Sequence, residues 1–375
     1  MLRKKANSKL KVDYSLLLIV FLLLAYGLIV LYSASSVQSF QNYGNTGHYI
    51  YHQILYGAVL GLLAMFICSK IDYHFWQRNL PILIFFSLLF LALVKIPGIG
   101  FSSGGAARWV HVGPIFFQPA ELAKMVIILY LASWVDRKHV DLNNFYYGIL
   151  PSFAIIGLFS LLILWQPDLG TMLVLLLVAF FMLFVAGINW KYFFYSAIVG
   201  VLGLYALIKI EPYRVKRLTT FLDLTVDPKG ISYQINQAIL AIGSGGLWGY
   251  GYGLSRQKHN YLPEVMNDSI FAIMSEELGF IRTMLALLLF AAFTVKGYSI
   301  AKNAPDTFGK MVAFGITSWI AIQALVNLAA MVNLLPLTGI PLPFFSYGSS
   351  ALIANLAAIG ILLNISTYSH RAKHT

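Results

Sequence analysis

The run 14–34, YSLLLIVFLLLAYGLIVLYSA, carries no charged residue and decides the class of the fold. A helix of about 20 apolar residues crosses a ~30 Å hydrocarbon core. Arg3, Lys4, Lys5, Lys9 and Lys11 precede the run, and Ser33-Ala34-Ser35 closes it with small residues. A secretory signal shares those flanks, but its apolar core is only about 7–15 residues long. The run is longer, so it reads as an uncleaved first transmembrane helix.

Moving outward, apolar segments recur at about 15–34, 49–68, 80–96, 119–135, 147–165, 171–187, 193–210, 269–295, 311–334 and 351–368. The 375 residues are 59% hydrophobic and 11% charged, against roughly 25% charged in soluble domains. No internal repeat or low-complexity tract interrupts them. The expectation is one all-α polytopic membrane domain over residues 1–375, with about ten transmembrane helices. Cys68 is the only cysteine, which excludes an internal disulfide. A net charge of +12 fits cationic loops facing anionic headgroups, so nucleic acid is not called for.

Short-loop lysines and arginines set the orientation. With the N-terminus inside, the inner face collects Arg3, Lys4, Lys5, Lys9, Lys11, Lys70, Arg78, Arg137, Lys138, Lys191, Lys296, Lys302, Lys310, Arg371 and Lys373. Short outer loops hold only Lys95 and Arg108. Both termini are therefore expected in the cytoplasm. The large extracytoplasmic loop between helices 7 and 8, about 211–267, carries Arg214, Lys216, Arg217, Lys229, Arg256 and Lys258. Two readings stand for that charge: contact with lipid phosphates, or a site for an anionic substrate.

Within this loop Ile231, Ile235, Ala238, Ile239 and Ile242 recur at helical spacing, which predicts a short interfacial helix. The glycine-dense stretch 243–253 follows. It lacks the strand and helix that a dinucleotide fold requires, so close backbone packing is the reading it supports.

Polar residues at outer helix ends carry the candidate chemistry, because intramembrane charge is costly and usually functional. Ala106-Ala107-Arg108-Trp109 leads to Gln118-Pro119-Ala120-Glu121-Leu122-Ala123-Lys124, with Pro119 suited to a first helical turn. Glu121 and Lys124 share a helix face, as a self-neutralising pair or as a polar wall beside a substrate. In Gln166-Pro167-Asp168-Leu169-Gly170-Thr171, Asp168 either caps the next helix or shares a divalent cation with a pyrophosphate. Tyr261-Leu262-Pro263-Glu264-Val265-Met266-Asn267-Asp268-Ser269 ends at the entry to helix eight. Asp268 there is a cap or a charged catalytic group stabilised by the helix N-terminus. Glu264, Asp268 and Glu276 are spaced to line one face if that helix starts early. The stretch 335–350, with Ser346, has three prolines and two glycines. Irregular backbone at the membrane edge is buried or lines a wet cavity. The chain has no zinc-binding His-Glu-x-x-His, no Gly-x-Ser-x-Gly and no Walker loop.

Through 106–109, 118–124, 166–171, 234–246, 262–279 and 335–350, in order, the chain resembles the SEDS family (shape, elongation, division and sporulation proteins, FtsW and RodA among them). Ser255-Arg256-Gln257-Lys258, 217–227 and 359–366 look more like the FtsW, cell-division branch than RodA. Ala107, Met266 and Ser349 depart from the pattern, where arginine, histidine and glycine are usual.

The resemblance implies a peptidoglycan glycosyltransferase that polymerises lipid II on the outer face of the bacterial cytoplasmic membrane. It implies a catalytic aspartate at Asp268 and a cavity pair at Glu121 and Lys124. Residues for substrate contact or the cavity are then Arg108, Glu121, Lys124, Asp168, Arg217, Gln234, Arg256, Lys258, Glu264, Glu276 and Ser346. A divalent cation, Mg²⁺ or Mn²⁺, is expected, with Asp168 or Asp268 as its ligand. Expected partners are lipid II, the undecaprenyl-pyrophosphate-linked glycan, a class B penicillin-binding protein and the other divisome proteins at the septum. A lipid II flippase and a recruiting scaffold are the rival readings.

Overall fold

The structure, a computed structural model, describes residues 12–103, 106–112, 115–137, 144–210, 212–228 and 230–372. The N-terminal basic cluster Arg3 to Lys11, Lys138, Lys229 and Lys373 lie outside the described residues, and with them their part in the orientation reading.

In chain order the helices are α1 (Tyr14–Tyr43), α2 (His48–Lys70), a short α3 (His74–Arg78) and α4 (Leu80–Leu93). Strands β1 (Gly100–Ser103), β2 (Ala106–Val112) and β3 (Ile115–Phe117) precede α5 (Pro119–Val135), α6 (Leu150–Trp165), α7 (Leu169–Val185) and α8 (Trp190–Ile210). Next come α9 (Pro212–Leu222) and α10 (Ile231–Ser244), then α11 (Ile270–Lys302), α12 (Thr307–Met331) and α13 (Ser349–Ala372). A helix lies over each apolar segment read from the sequence. Five of them (α1, α2, α11, α12, α13) are long and apolar enough to cross a membrane by length and composition, and α4, α6 and α7 are shorter apolar helices. The chain is a multi-pass membrane protein.

The all-α expectation needs one correction. β1, β2 and β3 form an antiparallel sheet in that order, with Phe101 opposite Trp109 and Val110 opposite Phe117. A loop held at the membrane edge must pair its own backbone groups, and two hairpins do so. The sequence reading placed a loop there.

α12 sits centrally, packing against α5, α7 and α11, and Trp319, Ile316 and Ile320 are fully buried on it. α1 runs antiparallel to α11. Asp13 caps α1 through the Ser15 and Leu16 amides, and its Oδ2 meets Lys296 Nζ at 3.0 Å. At the far end of α1, Ser33 reaches Glu277 on α11. The two contacts fix opposite ends of the pair, about 30 Å apart at 1.5 Å per residue.

α11 is broken at Gly279 (φ 74°, ψ 178°), which separates the piece 270–278 from the long remainder. The glycine-dense stretch threads this break. Tyr250 and Gly251 donate their amides to Glu276 O and Glu277 O at 3.0 and 2.9 Å, and Phe280 N donates to Gly246 O at 2.9 Å. A Cβ on Gly249 would sit 2.2 Å from Glu277 O, and one on Gly279 2.2 Å from Gly249 N. Only glycine allows that approach. α10 lies against α11 through Ser232, Ile235, Ala238 and Ala241. The face predicted from the isoleucines is therefore rotated, and Ile239 points outward.

Candidate active site

Asp268 lies at the junction of α10, the start of α11, α12 and the stretch 335–348. The helix starts at Ile270, so Asp268 is two residues before it and caps nothing; the cap position is Ser269. Gln234 Nε2 reaches Asp268 Oδ1 at 3.4 Å and Ser269 Oγ at 3.1 Å. Among the described residues Gln234 is the side chain that donates to this carboxylate, and the aspartate's own amide also turns towards it. The residue is 8% exposed. Burial, reinforced by the Glu264 carboxylate, pushes its pKa up to about 7, against the pull of Arg217 and Gln234. The sequence reading expected a helix N-terminus to favour the charged form; burial outweighs that here.

The main chain around Asp268 is gripped carbonyl by carbonyl. Met266 O accepts from Tyr347 N at 2.7 Å, Asn267 O from Ser346 Oγ at 2.5 Å, and Asp268 O from Asn327 Nδ2 at 2.9 Å. Ser346 Oγ also accepts from Leu342 N at 2.8 Å. Ser346 is thus a backbone clip. The irregular stretch is anchored in turn: Gly348 N donates to Gln53 Oε1 at 3.1 Å, and Arg217 Nη1 to Leu337 O at 2.8 Å. Gln53 opens a π-helical turn, Gln53–Val59, inside α2.

Glu121 and Lys124 form a buried pair at 2.8 Å. Pro119 occupies the first turn of α5, as its ring favours. Lys124 Nζ also donates to Gln323 Oε1 at 2.7 Å and lies 4.8 Å from the Trp319 ring centre. Gln323 Nε2 continues to Pro341 O at 3.0 Å. The pair therefore connects to the irregular stretch through α12.

Asp168 caps α7. Oδ1 accepts from Thr171 N at 3.1 Å, and Oδ2 from Thr171 Oγ1 at 2.9 Å and Gln118 Nε2 at 3.3 Å. Arg108 Nη2 donates to Pro167 O at 2.6 Å, tying β2 to the same turn.

Three sequence candidates, Glu276, Lys258 and Arg256, lie away from Asp268, whereas Glu264 stays beside it. The predicted stripe of Glu264, Asp268 and Glu276 does not form, because α11 starts too late. Glu264 sits exposed in a left-handed turn (φ 53°) and accepts from Asn267 Nδ2. Glu276, about 9 Å further along α11 from Ile270, accepts from Ser255 Oγ, Arg256 N (3.0 Å) and Gln257 N (3.4 Å). Lys258 is sealed against Glu277 at 2.9 Å, Gly253 O at 2.8 Å and Ser33 Oγ at 3.1 Å. Arg256 is exposed, its guanidinium 5.3 Å from the Tyr250 ring centre.

Among the described residues no three His, Cys, Asp or Glu side chains gather into a metal cage. A cation shared with a substrate pyrophosphate needs one carboxylate with spare lone pairs. Asp268 fits that requirement; both Asp168 oxygens already accept hydrogen bonds.

A family model described as cell cycle protein, for FtsW, RodA and SpoVE, matches residues 14–371. The chain belongs to the FtsW/RodA/SpoVE family. It is similar to stage V sporulation protein E of Bacillus subtilis (strain 168), 42% identical over 363 residues, covering 97% of this chain and 99% of that protein. It is also similar to the probable peptidoglycan glycosyltransferase FtsW of Geobacter sp. (strain M18), 38% identical over 355 residues, covering 95% and 96%. Among solved structures, a chain of a peptidoglycan synthase complex that coordinates polymerization and crosslinking superposes with a TM-score of 0.76 at 27% identity, covering 96% of this chain and 99% of that one. The rod shape determining protein RodA of Thermus thermophilus gives 0.69 at 28%, covering 96% and 97%.

For this FtsW/RodA/SpoVE member the motif resemblance is borne out. Sequence reasoning missed Gln323 and Asn327. Their signal is two amides four apart inside the long apolar run of α12, hence on one face.

Proposed function

We propose that the chain polymerises lipid II into peptidoglycan strands on the outer face of the cytoplasmic membrane, with Asp268 as general base. The observation that carries this reading is the Asp268 carboxylate, buried, held by its main chain and met by one side-chain donor, Gln234, with its pKa pushed up to about 7. A base titrating near the working pH is well matched to proton transfer. Family membership and the FtsW relatives support the reaction class.

In the proposed step the 4-hydroxyl of an acceptor N-acetylglucosamine attacks the anomeric carbon of the lipid-linked donor. The O–H proton passes to Asp268 Oδ2 as the new C–O bond forms. The old glycosidic bond to phosphate breaks, and its electron pair leaves with undecaprenyl pyrophosphate. One displacement inverts the anomeric centre. Of the loop cations, half-buried Arg217 acts on the Asp268 carboxylate and is the one proposed for the pyrophosphate, whereas Arg256 sits with Glu276 away from it. Lys258 is committed to Glu277. A divalent cation, Mg²⁺ or Mn²⁺, on the pyrophosphate would offset leaving-group charge; direct ligation by Asp268 would oppose its protonation and is the alternative to its role as base.

Ten membrane crossings, cytoplasmic termini and an outer loop at 211–267 complete the reading. Loop charge and the polar groups gathered at one end of the bundle support this arrangement. A class B penicillin-binding protein is the proposed partner, supported by similarity to a chain of a synthase complex. The FtsW relatives favour septal wall synthesis with divisome proteins over a RodA elongation role.

The test is polymerisation of purified lipid II in detergent, with the cognate transpeptidase and with Mg²⁺ or Mn²⁺. Long glycan from wild type and none from Asp268→Asn supports the reading. Equal product from both moves the base elsewhere. Absence of product from well-folded wild type shifts the weight to a flippase or scaffold.

A further inference from the structure

Asn327 on α12 is 1% exposed, and its Nδ2 gives one hydrogen bond to Asp268 O at 2.9 Å and one to Ile340 O at 2.8 Å. Its Oδ1 is buried without a partner. The amide cannot be reversed, because Oδ1 would then face two carbonyl oxygens. The one amide thus pairs two buried carbonyls that belong to separate segments of the chain. One turn earlier, Gln323 joins Lys124 to Pro341 O. Among the described residues Asn327 is the one side chain that touches both the main chain of Asp268 and the irregular stretch.

We propose that Asn327 is a positioning residue for glycosyl transfer: by bridging Asp268 O and Ile340 O with one amide, it fixes the height of the aspartate's main chain against the wall of the site, so that the carboxylate meets the acceptor hydroxyl at reacting distance. The proposal rests on the reading of Asp268 as base. The groups facing that carboxylate are Glu264, Arg217 and Gln234, with the Lys124–Glu121 pair one turn away along α12. Without the bridge, Asp268 would gain freedom and water.

The experiment measures kcat and KM for lipid II across about pH 5–9, per folded molecule, for full-length Asn327→Ala, Asn327→Asp and Asn327→Ser. Asn355→Ala, which removes another buried amide, on α13, serves as the structural control. Expected for Asn327→Ala is a kcat loss of about 10–100-fold with a KM change within about twofold. Asn327→Asp keeps the volume but loses the donors, and loses kcat as well; Asn327→Ser, with one donor, is intermediate and keeps the series readable if the alanine variant folds poorly. Asn355→Ala loses thermal stability without a comparable loss of kcat per folded molecule. A wild-type kcat in the Asn327 variants, or a raised KM at unchanged kcat, overturns the proposal. Asp268→Asn run alongside separates the two ideas. An active Asp268→Asn sinks the base reading, whereas an inactive one beside a normal Asn327→Ala sinks only the positioning role.

Discussion

Lys258 and Glu277 form a 2.9 Å ion pair, 4% and 3% exposed, at the break in α11 where α1, the glycine-dense stretch and the start of the long helix meet. Ser33 Oγ bonds both partners. Removing one member strands a buried charge, at a cost of about 3–5 kcal/mol. Lys258→Met and Glu277→Gln are each expected to lower the melting temperature sharply, and the double variant less than their sum. Thermal unfolding in detergent reads this as a coupling energy. A stable Lys258→Met that has lost only substrate affinity would restore the pyrophosphate role first read from the sequence.

Asp268 ties activity to stability in opposite directions. In the unfolded chain it titrates near 3.9, but in the fold burial raises it to about 7. Between those pH values the folded state holds the proton more tightly. Stability from this group is therefore full below about pH 4 and declines as pH rises through about 7. Asp268→Asn should abolish polymerisation yet unfold at a higher temperature than wild type at pH 8, the gap closing towards pH 4. A variant equally or less stable at pH 8 would contradict the burial argument.

The break in α11 depends on two hydrogen atoms where side chains would otherwise stand. Gly279→Ala puts a methyl group 2.2 Å from Gly249 N at a left-handed φ. A cost of at least ~2–4 kcal/mol is expected, seen as a collapse in the yield of monodisperse protein. Alanine at Gly243, which meets no neighbouring atom within 4 Å, should be nearly silent.

Asp168 and the cation come apart experimentally. Asp168→Asn keeps an acceptor for Thr171 N, so polymerisation should stay within about threefold of wild type, and Asp168→Ala should cost about 1 kcal/mol of stability. Chelation should suppress polymerisation without moving the melting temperature of substrate-free protein, because the described residues form no metal cage of their own. A melting temperature that falls on chelation would show protein-held metal.

The helices were legible because apolar runs of bilayer length have few other uses. Asp268, Glu121, Lys124 and Asp168 were legible because charge at a membrane edge is costly. What the sequence did not disclose depends on where α11 begins and where it breaks. A start at Ile270 dissolves the stripe through Glu264 and Glu276. The bend at Gly279 turns Glu276 and Lys258 from site candidates into fasteners, Lys258 through Glu277. Gln323 and Asn327 escaped because an amide inside an apolar run looks neutral until its partners are known. The small sheet escaped because its strands are short and one pairing has an irregular register.

The carbonyl grip around Asp268 bears on which substitutions the lineage can accept. Tyr347 N, Ser346 Oγ and Asn327 Nδ2 hold oxygens that every amino acid supplies. That grip does not depend on which side chains residues 266 and 267 carry, although Met266 is itself packed in the core and Asn267 Nδ2 donates to Glu264. Met266, where relatives of this type usually carry histidine, is then a change of neighbourhood chemistry that leaves the aspartate's main-chain coordinates untouched.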